Sequence, residues 1–368
     1  MKAVRARTLL STSLVTTCLG VACHVTDAGR GAAARDSQVA AVTGCAIPST
    51  FRWTSTGPLI TAVPDAAHPI VSIKDPTVVF FNHQWHVYAT TADVDGHWSI
   101  AYFHFDDWSK AAAARPYYLS DNPAFAKSYH AAPELFYFTR QAKWYLVYQS
   151  GPPTYSTADD PGRPDSWSPP KTFFADEPSV VASNKGSGGW LDFWVICDAA
   201  DCYLFFSDDS GNWYRSQTTL RDFPAGFGKT VIVMHDAIGD NLYEASHVYK
   251  LKGTSKYLAL IEAVGPTGNR FFRSWTADSL DGRWSPLADT WASPFAGVSN
   301  VSFGPGATAW TRDISHGEMI RDAYDETLTV DVCHPSQWRF LYQGVDPTKT
   351  NVSYSQLPYR LGLLRATE

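Results

Sequence analysis

The chain is poor in charge. Only 18% of its 368 residues are Asp, Glu, Lys or Arg, and Lys and Arg never cluster into a block. With a formal net charge of −6, that argues against a nucleic-acid partner. Helical 3.6-residue periodicity is weak throughout; 108-WSKAAAARPYY-118 holds at most one short turn of helix. No CxxC spacing occurs, which removes the usual zinc scaffolds. Past the N-terminus no segment is apolar and long enough to cross a membrane. What the chain does have is a 45% hydrophobic composition and 14% aromatics, including 14 Trp. That is ample core for stacked β-sheets, and flat rings also match the C–H faces of sugars.

The N-terminus reads as an export signal over residues 1–22. Lys2, Arg5 and Arg7 precede the apolar or small run 9-LLSTSLVTTCLGVAC-23. Cleavage after Ala22 or after Ala28 fits. The alternative is a lipoprotein signal, in which 20-GVAC-23 would anchor the mature chain through Cys23. Residues 23–44 are rich in Ala, Gly and Asp and read as a flexible leader to a domain over 45–368. Of 6 Cys, Cys45, Cys197, Cys202 and Cys333 fall in that domain, an even number suited to an oxidising compartment. Three pairings exist. Two strand ends joined by a short turn in 196-ICDAADCY-203 favour Cys197 with Cys202, leaving Cys45 to meet Cys333.

Five stretches share one shape: 73-IKDPTVVFFNHQWHVYAT-90, 130-HAAPELFYFTRQAKWYLVYQ-149, 191-LDFWVICDAADCYLFFSD-208, 243-YEASHVYKLKGTSKYLALIE-262 and 315-SHGEMIRDAYDETLTVDV-332. Each opens on a polar or small residue, continues as an alternating apolar strand, turns, and returns as a second strand. Pieces such as 98-WSIAYFHF-105 and 270-RFFRSWTA-277 supply further strands. Repeats of short antiparallel strands are propeller blades, so the expected fold is all-β, a five-bladed β-propeller. The first strand of each blade lies nearest the axis. Asp75, Asp192, Glu244 and His316 open these strands at equivalent places, so they converge on one end of a central channel. Singly, each acid reads as a turn residue. Three in register on the innermost strands read as a site, and Asp192, set within 190-WLDFWVI-196, would be costly there without a role.

Converging carboxyls ringed by Trp and Tyr suit glycoside hydrolysis. One activates water, another protonates the leaving oxygen, and a third keeps the donor protonated. The strings 72-SIKDPTVV-79, 149-QSGPPTYST-157, 185-KGSGGWLDFWVICD-198, 203-YLFFSDD-209, 244-EASHVYK-250 and 315-SHGEMIR-321 resemble glycoside hydrolase family 62, the α-L-arabinofuranosidases that act on arabinoxylan, from about Cys45 to the C-terminus. The resemblance implies a five-bladed propeller and inversion at the anomeric carbon. It assigns Asp75 as general base, Glu244 as general acid and Asp192 as the acid that tunes and orients the donor. Lys74 would hold a sugar hydroxyl or Asp75. Gln149, Arg321 and Tyr342 resemble residues of the sugar-binding surface. His316 would face a structural calcium in the channel, largely through water; no cofactor is needed for the chemistry. Glu318 would support the channel or pair with Arg321. Departures from the family at His130 and Glu134 put xylan contacts at that blade's mouth in question. The expected protein is a secreted monomer acting on arabinoxylan or its oligosaccharides, free of membrane after signal cleavage unless lipidated at Cys23.

Three rivals remain. A sugar-binding propeller without activity would not need all three carboxylates. A WD-type interaction propeller would carry Gly-His and Trp-Asp signatures, which are missing. Related five-bladed xylosidases or arabinanases would use a similar acid trio.

Overall fold

The computed structural model describes residues 45–367, except 126–127, 305–307 and 350. The expected signal, the leader, Cys18 and Cys23 lie outside the described residues. Valine, isoleucine and aromatic side chains alternate along short segments bounded by turns, and they assemble into five antiparallel sheets. The innermost strands are Ile70–Phe81, Ala131–Phe138, Leu191–Cys197, Glu244–Lys252 and Ser315–Met319, opening blades 1 to 5. Each touches the next and the fifth touches the first, closing a five-bladed propeller. The only α-helix among the described residues, Ser179–Asn184, spans six residues, and 108–113 form a 3₁₀ turn.

Blade 5 is built from both ends of the chain. Ser315–Met319, Arg339–Gly344 and Arg360–Ala366 are followed in the sheet by Trp53–Ser55, which pairs antiparallel with the last of these. The disulfide Cys45–Cys333 fastens the start of the domain beside the Gly253 turn of blade 4; Cys197–Cys202 bridges the hairpin of blade 3, where the two residues are paired directly. The fifth repeat departs from its expected course. Its second strand is not the 328–332 stretch but Arg339–Gly344. Thr329–Asp331 instead lies parallel against Lys250–Lys252 of blade 4. Only Arg339–Gly344 is long enough to pair with the whole inner strand and to place a polar residue, Gln343, opposite Ser315.

All five inner strands break register at the same place: after Lys74, Ala131, Leu191, Glu244 and Ser315. The next residue is left-handed in four of them, with φ of 48° at Asp75, 49° at Ala132, 56° at Asp192 and 52° at Ala245. A bulge of this kind re-aims a side chain, here toward the axis, and an L-residue held left-handed costs about 1–2 kcal/mol. Hydrogen bonds from blade to blade hold the strain. The backbone N–H at each bulge donates to the neighbouring blade: Ala132 to Thr90 Oγ1 (2.8 Å), Asp192 to Gln149 Oε1 (3.0 Å), Ala245 to Asp192 Oδ2 (2.8 Å), His316 to Glu262 Oε2 (2.6 Å) and Asp75 to Gln343 Oε1 (2.6 Å). The ring is complete.

Candidate active site

The bulges bring the predicted acids to one mouth, with one correction to their alignment. Asp75, Asp192 and His316 occupy the bulge position itself, whereas Glu244 stands one residue earlier, in register with Lys74 and Leu191. In blade 4 the bulge residue is Ala245. The chain pattern concealed this offset, because a bulge turns two successive side chains toward the same side.

His316 joins the two aspartates. Its Nδ1 is 3.3 Å from Asp75 Oδ1 and 3.8 Å from Asp192 Oδ2. The same Asp192 oxygen accepts the Ala245 N–H, so Asp192 is tied to the backbone next to Glu244. Burial, followed by the negative charges of Glu244 and Asp75, pushes the Asp192 carboxyl well above the usual carboxylate range. Glu244 Oε1 accepts from Arg270 Nη1 at 2.7 Å, and the same guanidinium grips the fully buried Glu262. Burial lifts Glu262 to about 7 against the pull of Arg270.

Lys74 is buried and its ammonium lies 3.5 Å above the Trp98 ring centroid and 4.5 Å from that of Tyr354. Burial lowers its pKa, while Asp75, Glu244 and Asp192 work to keep it charged. Trp98 packs between Tyr129 and Tyr354, with centroids 5.9 and 6.0 Å away, and both tyrosines expose more than 40% of their surface. Gln149 bridges this rim to the acids: its amide nitrogen donates to the Tyr129 hydroxyl and its oxygen takes the Asp192 N–H.

Two expected surface residues are elsewhere. Arg321 lies beyond the other end of the blade 5 inner strand, buried, with its Nε 2.6 Å from Glu318 and its Nη2 donating to the Leu135 carbonyl. Glu318 is its counter-ion there, and the same Nη2 also donates to the Val78 carbonyl. Tyr342 is fully buried and shares a 2.7 Å hydrogen bond with Ser55, joining the terminal strand to blade 5. Glu318 does both things expected of it, pairing Arg321 and accepting the Val78 N–H. His130 and Glu134 are also buried: the first bonds Ser128 and the Phe125 carbonyl, the second accepts the Val195 N–H. Neither reaches the mouth.

Below the acids, Asp192, Ser246, His247 and His316 face a cavity of about 10 Å³, room for the centre of one water or one ion. Ser246 Oγ and His247 Nδ1 are buried there without a protein partner, the mark of a site that water or an ion completes. A calcium ion beside His316 would find the Asp192 carboxylate and the Ser246 hydroxyl here, and would need the rest of its roughly 6–8 oxygen ligands from water outside this cavity.

Four contributors escaped the sequence reading: Arg270, Glu262, Gln343 and Asp209. Glu262 and Gln343 had a visible signal. Each second strand carries a polar residue opposite the pre-bulge position: Thr90, Gln149, Ser207, Glu262 and Gln343. Asp209 lies in the turn after the second strand of blade 3, where burial and then the charge of Glu244 raise its carboxyl. Arg270 lies on a third strand, 26 residues from Glu244, and nothing local marks it.

Residues 52–365 match the model of glycosyl hydrolase family 62. Alpha-L-arabinofuranosidase C of Cellvibrio japonicus is 45% identical over 325 residues, which are 87% of this chain and 48% of that protein; the chain thus spans about half the length of this curated relative. The catalytic domain of a Coprinopsis cinerea family 62 α-L-arabinofuranosidase superposes with a TM-score of 0.83 at 47% identity, covering 87% of this chain and 98% of that one. A family 62 hydrolase solved in complex with xylotriose superposes at 0.81 with 45% identity, covering 88% of this chain and 98% of its own. With its propeller and its ring of inner-strand acids, this chain belongs to glycosyl hydrolase family 62.

Proposed function

We propose that the protein is an inverting α-L-arabinofuranosidase that removes single α-1,2- or α-1,3-linked arabinofuranosyl branches from arabinoxylan. The observation that carries this is the meeting of Asp75, Asp192 and Glu244, from three separate blades, at one mouth rimmed by Trp98, Tyr129 and Tyr354. Asp75 takes a proton from water as the water oxygen attacks the anomeric carbon. The bond from that carbon to the xylose oxygen breaks on the opposite face. Glu244 gives its proton to that oxygen, so water ends as one sugar hydroxyl on each product. Asp192 holds the backbone beside Glu244, and burial with the charges of Glu244 and Asp75 pushes its own carboxyl well above the usual carboxylate range.

A mouth floored by these acids admits one furanosyl residue and leaves the main chain across the aromatic rim. That a relative was solved in complex with xylotriose supports a xylan chain as the ligand. Lys74, against the Trp98 ring, and Gln149, bonded to Tyr129 and Asp192, would meet sugar hydroxyls. A calcium ion beside His316 would brace the floor electrostatically. Two disulfides and the basic, then apolar N-terminus support export.

Incubation with wheat arabinoxylan tests the reading. Chromatography should find free arabinose while the xylan keeps its length, and early proton NMR should find the anomer opposite to the bond cleaved. Shortened xylan would point to an endo-acting enzyme. Retention would overturn the roles of Asp75 and Glu244, since a retaining enzyme places its nucleophile about 5–5.5 Å from its acid.

A further inference from the structure

The residues given the roles of acid and base, Glu244 and Asp75, stand on blades 4 and 1, and blade 5 lies between them. A continuous run of hydrogen bonds crosses that gap. Glu244 Oε1 accepts from Arg270 Nη1 at 2.7 Å, and the same nitrogen reaches Glu262 Oε1. Glu262 Oε2 accepts the Ser315 hydroxyl (2.9 Å) and the His316 N–H (2.6 Å). Ser315 Oγ accepts in turn from Gln343 Nε2 (3.0 Å), and Gln343 Oε1 takes the Asp75 N–H (2.6 Å). Arg270, Glu262, Ser315 and Gln343 make the links, and none of them has a task in the scheme above.

Arg270 opens the third strand of blade 4 and is fixed at both ends. Its backbone N–H donates to Asp313 Oδ1 (2.9 Å) and its carbonyl accepts the Ile314 N–H (3.1 Å), so the segment entering blade 5 holds it. Its guanidinium carbon stands 4.4 Å from the centroid of the Tyr243 ring, and the Tyr243 N–H donates to the Glu262 carbonyl (2.9 Å). An ion pair between mobile surface side chains contributes little. This guanidinium is tied at its backbone, stacked on a ring and shared with a fully buried carboxyl, so it is held in one orientation.

A guanidinium nitrogen only donates. It therefore meets Glu244 at an oxygen that bears no proton, and a protonated Glu244 must carry its proton on the other oxygen, Oε2. Arg270 thus sets the direction in which the acid delivers, and Glu262 sets the place of Arg270. We infer that Arg270 is the positioning residue of the general acid and that Glu262 braces it against the blades that carry His316 and Asp75. This rests on the arabinofuranosidase reading. Inversion needs acid and base held about 6.5–9.5 Å apart with a water between them, and a buried run of bonds from one to the other holds such a spacing.

Arg270→Lys tests this. It keeps a cation for the buried Glu262, but its nitrogen ends one bond short of Nη1 and cannot bridge both carboxyls. On arabinoxylo-oligosaccharides kcat should fall about tenfold or more, since a small misplacement of a reacting group is that costly. On 4-nitrophenyl arabinofuranoside, whose phenol leaves without a proton, the loss should be several times smaller. In a Glu244→Gln background Arg270→Lys should remove nothing further from kcat on the oligosaccharides, because no acid remains to be placed. Arg270→Met combined with Glu262→Gln takes both charges away together and keeps an oxygen for Ser315 and His316. It leaves no buried ion alone and should show the same split, whether or not Arg270→Lys folds. Equal losses on the two substrates, or losses that add in the Glu244→Gln background, would overturn the inference alone. A wild-type protein that frees no arabinose from the oligosaccharides would overturn the functional reading and this inference together.

Discussion

Two rings of hydrogen bonds circle the propeller axis, one at the mouth and one three residues farther along the inner strands. In the deeper ring Thr77 accepts the Leu135 N–H, Glu134 the Val195 N–H, Tyr249 the Met319 N–H and Glu318 the Val78 N–H, while the Trp194 indole donates to the Val248 carbonyl. Every acceptor there comes from an inner strand. In the mouth ring four of five acceptors come from second strands: Thr90, Gln149, Glu262 and Gln343. The exception is blade 3. There Ser207 is too short, its hydroxyl is left unpartnered, and Asp192 makes the link. The deeper ring only joins blades. The mouth ring joins blades with a residue of the active site in the chain of bonds, so chemistry and fold share one contact.

The largest effect should come from the mouth. Asp75→Asn keeps a residue that tolerates the left-handed bulge but cannot take a proton from water. Turnover should fall about 10²–10⁴-fold on every substrate, while the urea midpoint stays put. Glu244→Gln should lose a similar factor on arabinoxylan and far less on an aryl arabinoside. Parallel losses of activity and stability in Asp75→Asn would erase the distinction between the rings.

The deeper ring should respond the other way. Glu318→Gln leaves Arg321 buried without its counter-ion, and breaking such a pair costs roughly 3–5 kcal/mol. Urea unfolding should register that loss, with kcat per folded molecule unchanged. A lowered kcat with normal stability would place Arg321 back in the sugar site.

The mouth also predicts how stability varies with pH. Asp209 at about 8 and Glu262 at about 7 are raised in the folded protein, while the unfolded chain ionises them near 4. The folded state therefore binds more protons between those limits. This contribution is fully present below about pH 4 and is lost as pH climbs through 7 to 8. Calorimetry should show Tm falling on the order of 5 °C from pH 5 to pH 8, and Asp209→Asn should flatten the slope. A Tm that rises over this range would contradict the assignment. The smallest change belongs to blade 5. Tyr342→Phe removes one bond to Ser55 and should cost about 0.5–1.5 kcal/mol by urea titration. An altered KM would show that Tyr342 meets substrate after all.

Much of this was legible along the chain. Alternating apolar segments at a repeating interval specify strands, and five such repeats specify five blades, because a blade buries its faces only against its neighbours. Asp75, Asp192 and Glu244 were readable because charge inside an apolar strand needs a reason. The cysteine pairing followed from a hairpin and from what remained. Tertiary structure decided the rest. It set Glu244 one place off the other acids, since a bulge changes which way a side chain points without changing the pattern of residues. It sent Arg321 and Tyr342 inward, because only the assembled ring determines which end of a strand is open to solvent. It gathered Arg270, Glu262 and Asp209 around Glu244 from other strands and a turn. Local pattern fixes direction within one strand; the company a charge keeps depends on strands far apart in sequence, and the closed ring alone brings those together.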